Sequence, residues 1–247
     1  MLSIQNVSKT YSKGKVKAVD NISLQVKRGE IFGFLGPNGA GKTTTIKMIT
    51  GVLPIDEGKI TINGLNIENE AINAKMNMGF VPDSHDVYER LKGIEYLNFM
   101  ADVYDVPSDV RKERIDKYLN MFEMKDVAGQ PIKSYSHGMK QKIIVIGVLL
   151  HQPPLWIMDE PLTGLDPRSS HLLKEEMHQH CSKGNTVFFS THVLEVAEKL
   201  CHRIGIINKG KIVAVGTMDE LRKSQDSSLE NIFLSLTEGS DIDAQIL

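Results

Sequence analysis

The chain has 247 residues, with 29 Lys and Arg against 31 Asp and Glu, a formal net charge of −2, 41% hydrophobic and 24% charged residues. This balance excludes an extended disordered chain and fits one large α/β domain or two small ones. The near-neutral charge excludes nucleic-acid binding driven by a basic excess, so no nucleic-acid partner is expected.

Residues 143–150 form the longest apolar run, far short of the roughly 20 residues a spanning helix needs. The start, Met-Leu-Ser-Ile-Gln-Asn, turns polar at once, so no secretory leader is expected. The two cysteines, Cys181 and Cys201, lack zinc-like spacing, and a reducing cytoplasm is the expected compartment.

In chain order, Ile22, Leu24 and Val26 alternate with Ser23, Gln25 and Lys27, the period of a half-buried strand. Ile60 and Ile62 alternate likewise and end at the turn dipeptide Asn63-Gly64. These imply an N-terminal antiparallel β layer. Between them Glu30-Ile-Phe-Gly-Phe-Leu35 reads as a strand buried on both faces, as in a parallel sheet.

Residues 84–150 read as mostly helical. Ile94, Leu97 and 99–101 mark one helix. Ser108 or Asp109 is expected to cap a second, with Val110, Ile115, Tyr118, Leu119 and Phe122 on its buried side. A third starts near Ser136 and stops at Pro153-Pro154.

Strands are then expected at 155–158 and 186–189, and helices at 167–180, with Pro167 in the first turn, and at 193–200. A hairpin of 204–207 and 212–215 turns at Asn208-Lys-Gly210. Thr217 and Glu220 suit a capping box. Beyond Ser224 the chain is polar apart from Leu229, Ile232, Phe233 and Leu234. The pattern predicts an α/β fold with a parallel-sheet core over 1–225, a helical subdomain inserted at about 84–150, and a short tail at 226–247.

Two segments carry chemistry. Gly36-Pro37-Asn38-Gly39-Ala40-Gly41-Lys42-Thr43 matches the eight-residue phosphate-loop pattern. It follows a buried strand and precedes a helix expected over 44–53. Its glycines let successive N–H groups turn inward on phosphates, and the helix N-terminus adds partial positive charge. Lys42 is expected on the β- and γ-phosphates, the Thr43 hydroxyl on Mg²⁺, and Thr44 beside them. These residues make a nucleotide polyphosphate and Mg²⁺ the expected ligands.

The second segment, Leu155-Trp-Ile-Met-Asp159-Glu160, is an apolar strand ending in two carboxylates, at the end where open α/β sheets bind ligands. Alternation along the strand lets Asp159 hold Mg²⁺ while Glu160 takes a proton from water.

With these segments the chain resembles the ATP-binding subunit of ATP-binding cassette (ABC) transporters over nearly its whole length. Ser136-His-Gly138-Met-Lys-Gln141 stands where the family carries its Leu-Ser-Gly-Gly-Gln signature. Pro161-Leu-Thr-Gly-Leu-Asp166 resembles the D-loop, Ser190-Thr-His192 the switch histidine, and Gly79-Phe-Val-Pro82-Asp83 the Q-loop. Tyr11 resembles the aromatic that stacks on adenine, with Val16 either a neighbour to the same base or a strand-surface residue.

The resemblance implies that the nucleotide is ATP, and that Ser136 and Gly138 meet the γ-phosphate held by an opposite subunit. It implies that His192 contacts that phosphate and the attacking water, and that Asp166 either spans the dimer interface or caps the following helix. It implies a head-to-tail nucleotide-sandwich dimer of two ATP-binding subunits, working on separate transmembrane permease subunits from the cytoplasmic face of the membrane. Residues 83–91, with Val87 and Tyr88 exposed, are expected to grip a membrane subunit.

His137, Met139 and Asp83 depart from the usual Gly, Gln and Gln. A carboxylate at 83 cannot donate when ionised and favours Mg²⁺ or bridging water. The phrasing of Ser136–Gln141, of the Leu-Thr-Gly-Leu-Asp loop at 162–166 and of 229–234 is similar to the bacterial drug- and antibiotic-export branch. The sequence also leaves open a soluble ATPase on the same scaffold, for example in cluster assembly, and a phosphate-loop kinase of a small molecule.

Overall fold

Alternating residues bury one face of the N-terminal strands, and buried-both-sides runs build the strands beneath them. The computed structural model describes residues 1–11, 16–84, 88–223 and 229–238. Strands β1 (Leu2–Tyr11) and β2 (Val16–Val26) pair antiparallel, and β1 also pairs antiparallel with β4 (Glu57–Ile62), which turns into β5 (Leu65–Asn66). Ile22, Leu24 and Val26 are buried while their neighbours Ser23 and Gln25 are exposed, as the alternation requires.

The second sheet holds β3 (Ile31–Leu35), β6 (Met78–Val81), β7 (Leu155–Asp159), β8 (Thr186–Thr191), β9 (Arg203–Asn208) and β10 (Lys211–Gly216). Their spatial order is β10-β9-β3-β8-β7-β6, parallel except for the β9–β10 hairpin. The expected mixed architecture is therefore observed. Along β7, Leu155 and Ile157 pack toward the antiparallel layer, whereas Trp156 and Met158 pack toward the helices on the other face.

Helix α1 (Lys42–Ile49) follows β3, and α2 (Ala71–Met76) follows β5. The sequence extended α1 to residue 53, but Gly51 at φ +65° ends it, and the N–H groups of Val52 and Leu53 both turn back to the Lys47 carbonyl. The inserted block consists of α3 (Gly93–Val103), α4 (Ser108–Met121) and α5 (His137–His151). Tyr96, Leu97, Ile115, Tyr118, Leu119, Ile143 and Val145 share one cluster with Trp156 and Phe189 of the sheet.

The cap expected at Ser108 or Asp109 is corrected. Pro107, at φ −56° and ψ 140°, occupies the N-cap with no side-chain bond, and Asp109 accepts only from the adjacent Val110 N–H. Ser136 does cap α5, accepting from the Met139 N–H at 3.3 Å.

Helices α6 (Pro167–Ser182), α7 (Leu194–Leu200), α8 (Met218–Lys223) and α9 (Leu229–Glu238) complete the described residues. The Thr217–Glu220 capping box is reciprocal, at 2.8 and 3.2 Å. Within the stretch assigned to a tail, α9 folds back and buries Leu229 and Ile232 against Leu35, Ile204, Ile206 and Leu221. Among the described residues no helix is long and apolar enough to cross a membrane.

Candidate functional site

Four strand ends converge because β3, β8, β7 and β6 are neighbours in parallel register. Leu35 lies opposite Thr191, Asp159 opposite Ser190, and Val81 opposite Met158. The phosphate loop leaves β3, Ser190 to His192 close β8, Asp159 and Glu160 close β7, and Asp83 lies two residues past β6.

A cavity of about 210 Å³ forms there. Pro37, Asn38, Gly39, Gly41, Lys42, Thr43 and Thr44 line one wall, with Asp83 and Glu160 opposite. Gly36 and Ala40 are buried behind that wall. Ala18, unmarked by the sequence, also lines the cavity. A Cβ on Gly36 would stand 2.4 Å from the Ile207 carbonyl oxygen, so only glycine fits the close approach of loop and β9.

Lys42 is buried, and its ammonium donates to the Gly36 and Pro37 carbonyls at 2.7 and 3.3 Å. It lies 3.9 Å from Glu160 Oε1. Burial lowers its pKa, opposed by the nearby charges of Glu160, Asp159 and Asp83.

Asp159 is 2% exposed, and burial raises its pKa against hydrogen bonds from Ser190 and Thr43. The Ser190 hydroxyl donates to Asp159 Oδ1 at 2.5 Å and accepts the Glu160 N–H at 3.1 Å. The sequence quoted Ser190 only as part of a strand-end tripeptide. Its hydroxyl in fact ties the two acidic residues together. Its one legible signal is a polar residue closing an apolar strand.

Glu160 adopts φ +48°, a left-handed conformation that costs a non-glycine residue about 1–3 kcal/mol. Its Oε1 lies 3.0 Å from His192 Nδ1. His192, with Thr191, Leu162 and Thr163, lines a neighbouring cavity of about 340 Å³, so Glu160 stands between two openings.

The chemistry of the donors fits Mg²⁺. Asp159 and the Thr43 hydroxyl are hard oxygen ligands already in contact, with Asp83 on the same cavity. Among the described residues no group of three or more His, Cys, Asp or Glu forms a ready-made cage.

The remaining expected residues stand apart. Tyr11 and Val16 pair across the end of the β1–β2 hairpin, 39% and 55% exposed, and neither lines the cavity. Ser136 and Gly138 lie at the α5 N-terminus, against the chain's own 161–166 loop: a Cβ on Gly138 would stand 2.6 Å from the Gly164 carbonyl oxygen.

Two bonds that the sequence did not reveal tie this end of α5 to the loop. Gln141 Nε2 donates to the Pro161 carbonyl at 3.0 Å, and Lys142 pairs with Asp166 at 2.7 Å. Of the two roles open to Asp166, it fills the cap of α6 here, accepting from the N–H and the hydroxyl of Ser169 at 2.9 and 2.7 Å. Lys142 first, then Ser169, hold its carboxyl well below the usual range. Tyr88 is exposed and packs edge-on against Phe99, whereas Val87 lies outside the described residues.

Comparison with known proteins identifies the family. A family model described as "ABC transporter" matches residues 19–163, more than half of the chain. The linearmycin resistance ATP-binding protein LnrL of Bacillus subtilis (strain 168) is 41% identical over 221 residues, covering 90% of this chain and 70% of its own. The Nod factor export ATP-binding protein I of Cupriavidus metallidurans is 36% identical over 225 residues, 91% of this chain and 74% of its own. A solved structure described as the ATP-binding subunit of an ABC transporter superposes with a TM-score of 0.91 at 32% identity, covering 96% of this chain and 99% of its own. A phosphate loop, a paired acidic strand end and a matched family model on one scaffold place the chain in the ABC transporter family, as an ATP-binding cassette ATPase.

Proposed function

We propose that the chain binds Mg-ATP in the 210 Å³ cavity and hydrolyses it in a head-to-tail dimer, driving export through separate transmembrane permease subunits. The observation that carries this is the division of parts. The cavity gathers Lys42, Thr43, Asp83 and Glu160, but Ser136 and Gly138 lie outside its wall, beside the 161–166 loop. A second ATP-binding subunit facing the first presents that N-terminal end of α5 to the γ-phosphate.

In this reading the loop amides and Lys42 bind the phosphates. Lys42 then exchanges its bonds to Gly36 and Pro37 for phosphate oxygens. Thr43, Asp159 and Asp83 hold Mg²⁺, which neutralises phosphate charge when bound. Glu160 accepts the proton of the attacking water, and the hydrogen bond to Glu160 keeps the His192 imidazole next to that water. Tyr11 takes the adenine face, and Asp166 meets the partner across the interface while capping α6.

The resistance and export named for the two relatives support an exporter, working from the cytoplasmic face of the membrane. Tyr88 and the rest of 83–91 supply the grip on the permease.

Replacing Glu160 with Gln tests the mechanism. The variant is expected to bind ATP normally, to accumulate as a dimer in light scattering, and to hydrolyse about 10²–10⁴-fold more slowly. Turnover at the wild-type rate removes Glu160 as the base. Phosphate transfer to an added small acceptor by a monomer overturns the whole reading in favour of a kinase.

A further inference from the structure

The cavity wall is held from behind by an element remote from the nucleotide. Beyond the close contact of Gly36 with Ile207, Gly210 N–H donates to the Ala40 carbonyl at 2.9 Å, and the Gly210 carbonyl accepts from Asp20 at 2.8 Å. The 208–210 turn therefore bonds the phosphate loop at Ala40, and Ile207 just before it meets the loop at Gly36. Lys209 and Gly210 both have positive φ, +47° and +78°, the geometry of a tight hairpin turn that strains a non-glycine residue such as Lys209.

Something has to hold that strained turn. Asn208 is 7% exposed, and its Nδ2 donates to the Leu236 and Thr237 carbonyls, each at 3.3 Å. These carbonyls belong to the last turn of α9. Helix α9 is itself anchored by Leu229 and Ile232 beneath β9.

The geometry points to Asn208 as a positioning residue: it couples the docking of α9 to the shape of the phosphate loop, so α9 sets nucleotide affinity from outside the site. The reason is pre-organisation. A loop that spends only a fraction of its time in the binding shape binds with its intrinsic constant divided by that fraction. With Asn208 in place the turn, and with it Ala40 and Gly36, is fixed. Without it the strained turn is free to relax and the amide cradle opens part of the time. This inference rests on the phosphate loop being the nucleotide site.

The test measures the dissociation constant of the full chain for ADP by fluorescence titration, and KM and kcat for Mg-ATP. Asn208→Ala is expected to raise Kd and KM about three- to tenfold, the range of one lost hydrogen bond, with kcat at saturation within about twofold. Ile232→Ala, which undocks α9 but leaves Asn208 intact, is expected to give the same shift. The double variant is expected to be no worse than the stronger single, because both act through one contact.

Ile115→Ala in α4 is the stability control: it is expected to lower the melting temperature while leaving Kd within about twofold of wild type. A wild-type Kd in Asn208→Ala, or an equal rise in Ile115→Ala, overturns the inference. Lys42→Ala separates the two readings. If it leaves ADP affinity unchanged, the nucleotide site itself is misassigned. If it weakens binding while Asn208→Ala does not, only the role of Asn208 fails.

Discussion

Replacing Ser190 with Ala removes a hydroxyl that is fully buried and makes two bonds at once. One goes to a buried carboxylate, and such bonds contribute about 1.5–3 kcal/mol; the other receives a backbone N–H, worth about 0.5–1.5 kcal/mol. Their loss predicts about 2–4.5 kcal/mol of destabilisation, because alanine leaves both partners desolvated and unpaired.

The catalytic loss has a separate source. The Glu160 N–H bond helps hold a residue at φ +48°, and without it the backbone is free to relax toward a common conformation that swings the carboxylate off its position. A displacement of about 1 Å costs about 10²-fold in rate. Urea unfolding at pH 7 reads the first effect, and phosphate release at saturating Mg-ATP the second. A variant with the wild-type midpoint and wild-type kcat would refute the argument that Ser190 organises the acidic pair.

Two further outcomes follow from single contacts. Gly36→Ala is expected to weaken nucleotide binding more than tenfold in an ADP titration, because the new Cβ meets backbone rather than a movable side chain. His180 is stacked on Trp156 with its Nε2 unpaired, and burial pushes its pKa down to about 4. Since the unfolded chain takes up that proton first, stability is present above about pH 6.5 and lost as pH falls toward 4, by about 2–3 kcal/mol from this residue. His180→Phe is expected to flatten the pH dependence of the urea midpoint across that window, and an unchanged slope counts against it.

What the sequence made legible was whatever depends on neighbours in the chain. The run before Gly36 is apolar at every position because β3 is covered on both faces, and Ser136 and Pro153 bracket α5 because caps and breakers are local chemistry. Helix α2 was not read, since Ala74 alone is buried among its six residues and so short a segment has no usable period. The cap of α4 was misread because Ser108 is an ordinary capping residue, but Pro107 already holds the extended conformation that position needs.

At the site, Lys42, Asp159 and Glu160 announced themselves by motif. Ser190, Gln141, Lys142 and Asn208 did not, because each acts on a segment at least 20 residues away. Tyr11 was picked by its place in the order of motifs, and the fold leaves it on an exposed strand end rather than in the cavity wall.

The charges around Lys42 explain why the proposed ligand is a nucleotide together with a cation. Asp83, Asp159 and Glu160 all act on this single buried ammonium, so the cavity has an excess of negative charge. A polyphosphate entering alone meets repulsion that the partial positive charge at the start of α1, about half an elementary charge, does not offset. Asp159 already bears a desolvation cost, visible as its raised pKa, and with Thr43 in contact it stands ready to ligate. A divalent cation bound there relieves the buried carboxylate and the phosphate oxygens in one step. The arrangement thus favours the pair over either member. In the proposed mechanism Glu160 is then left to accept the proton, with its side chain turned to His192.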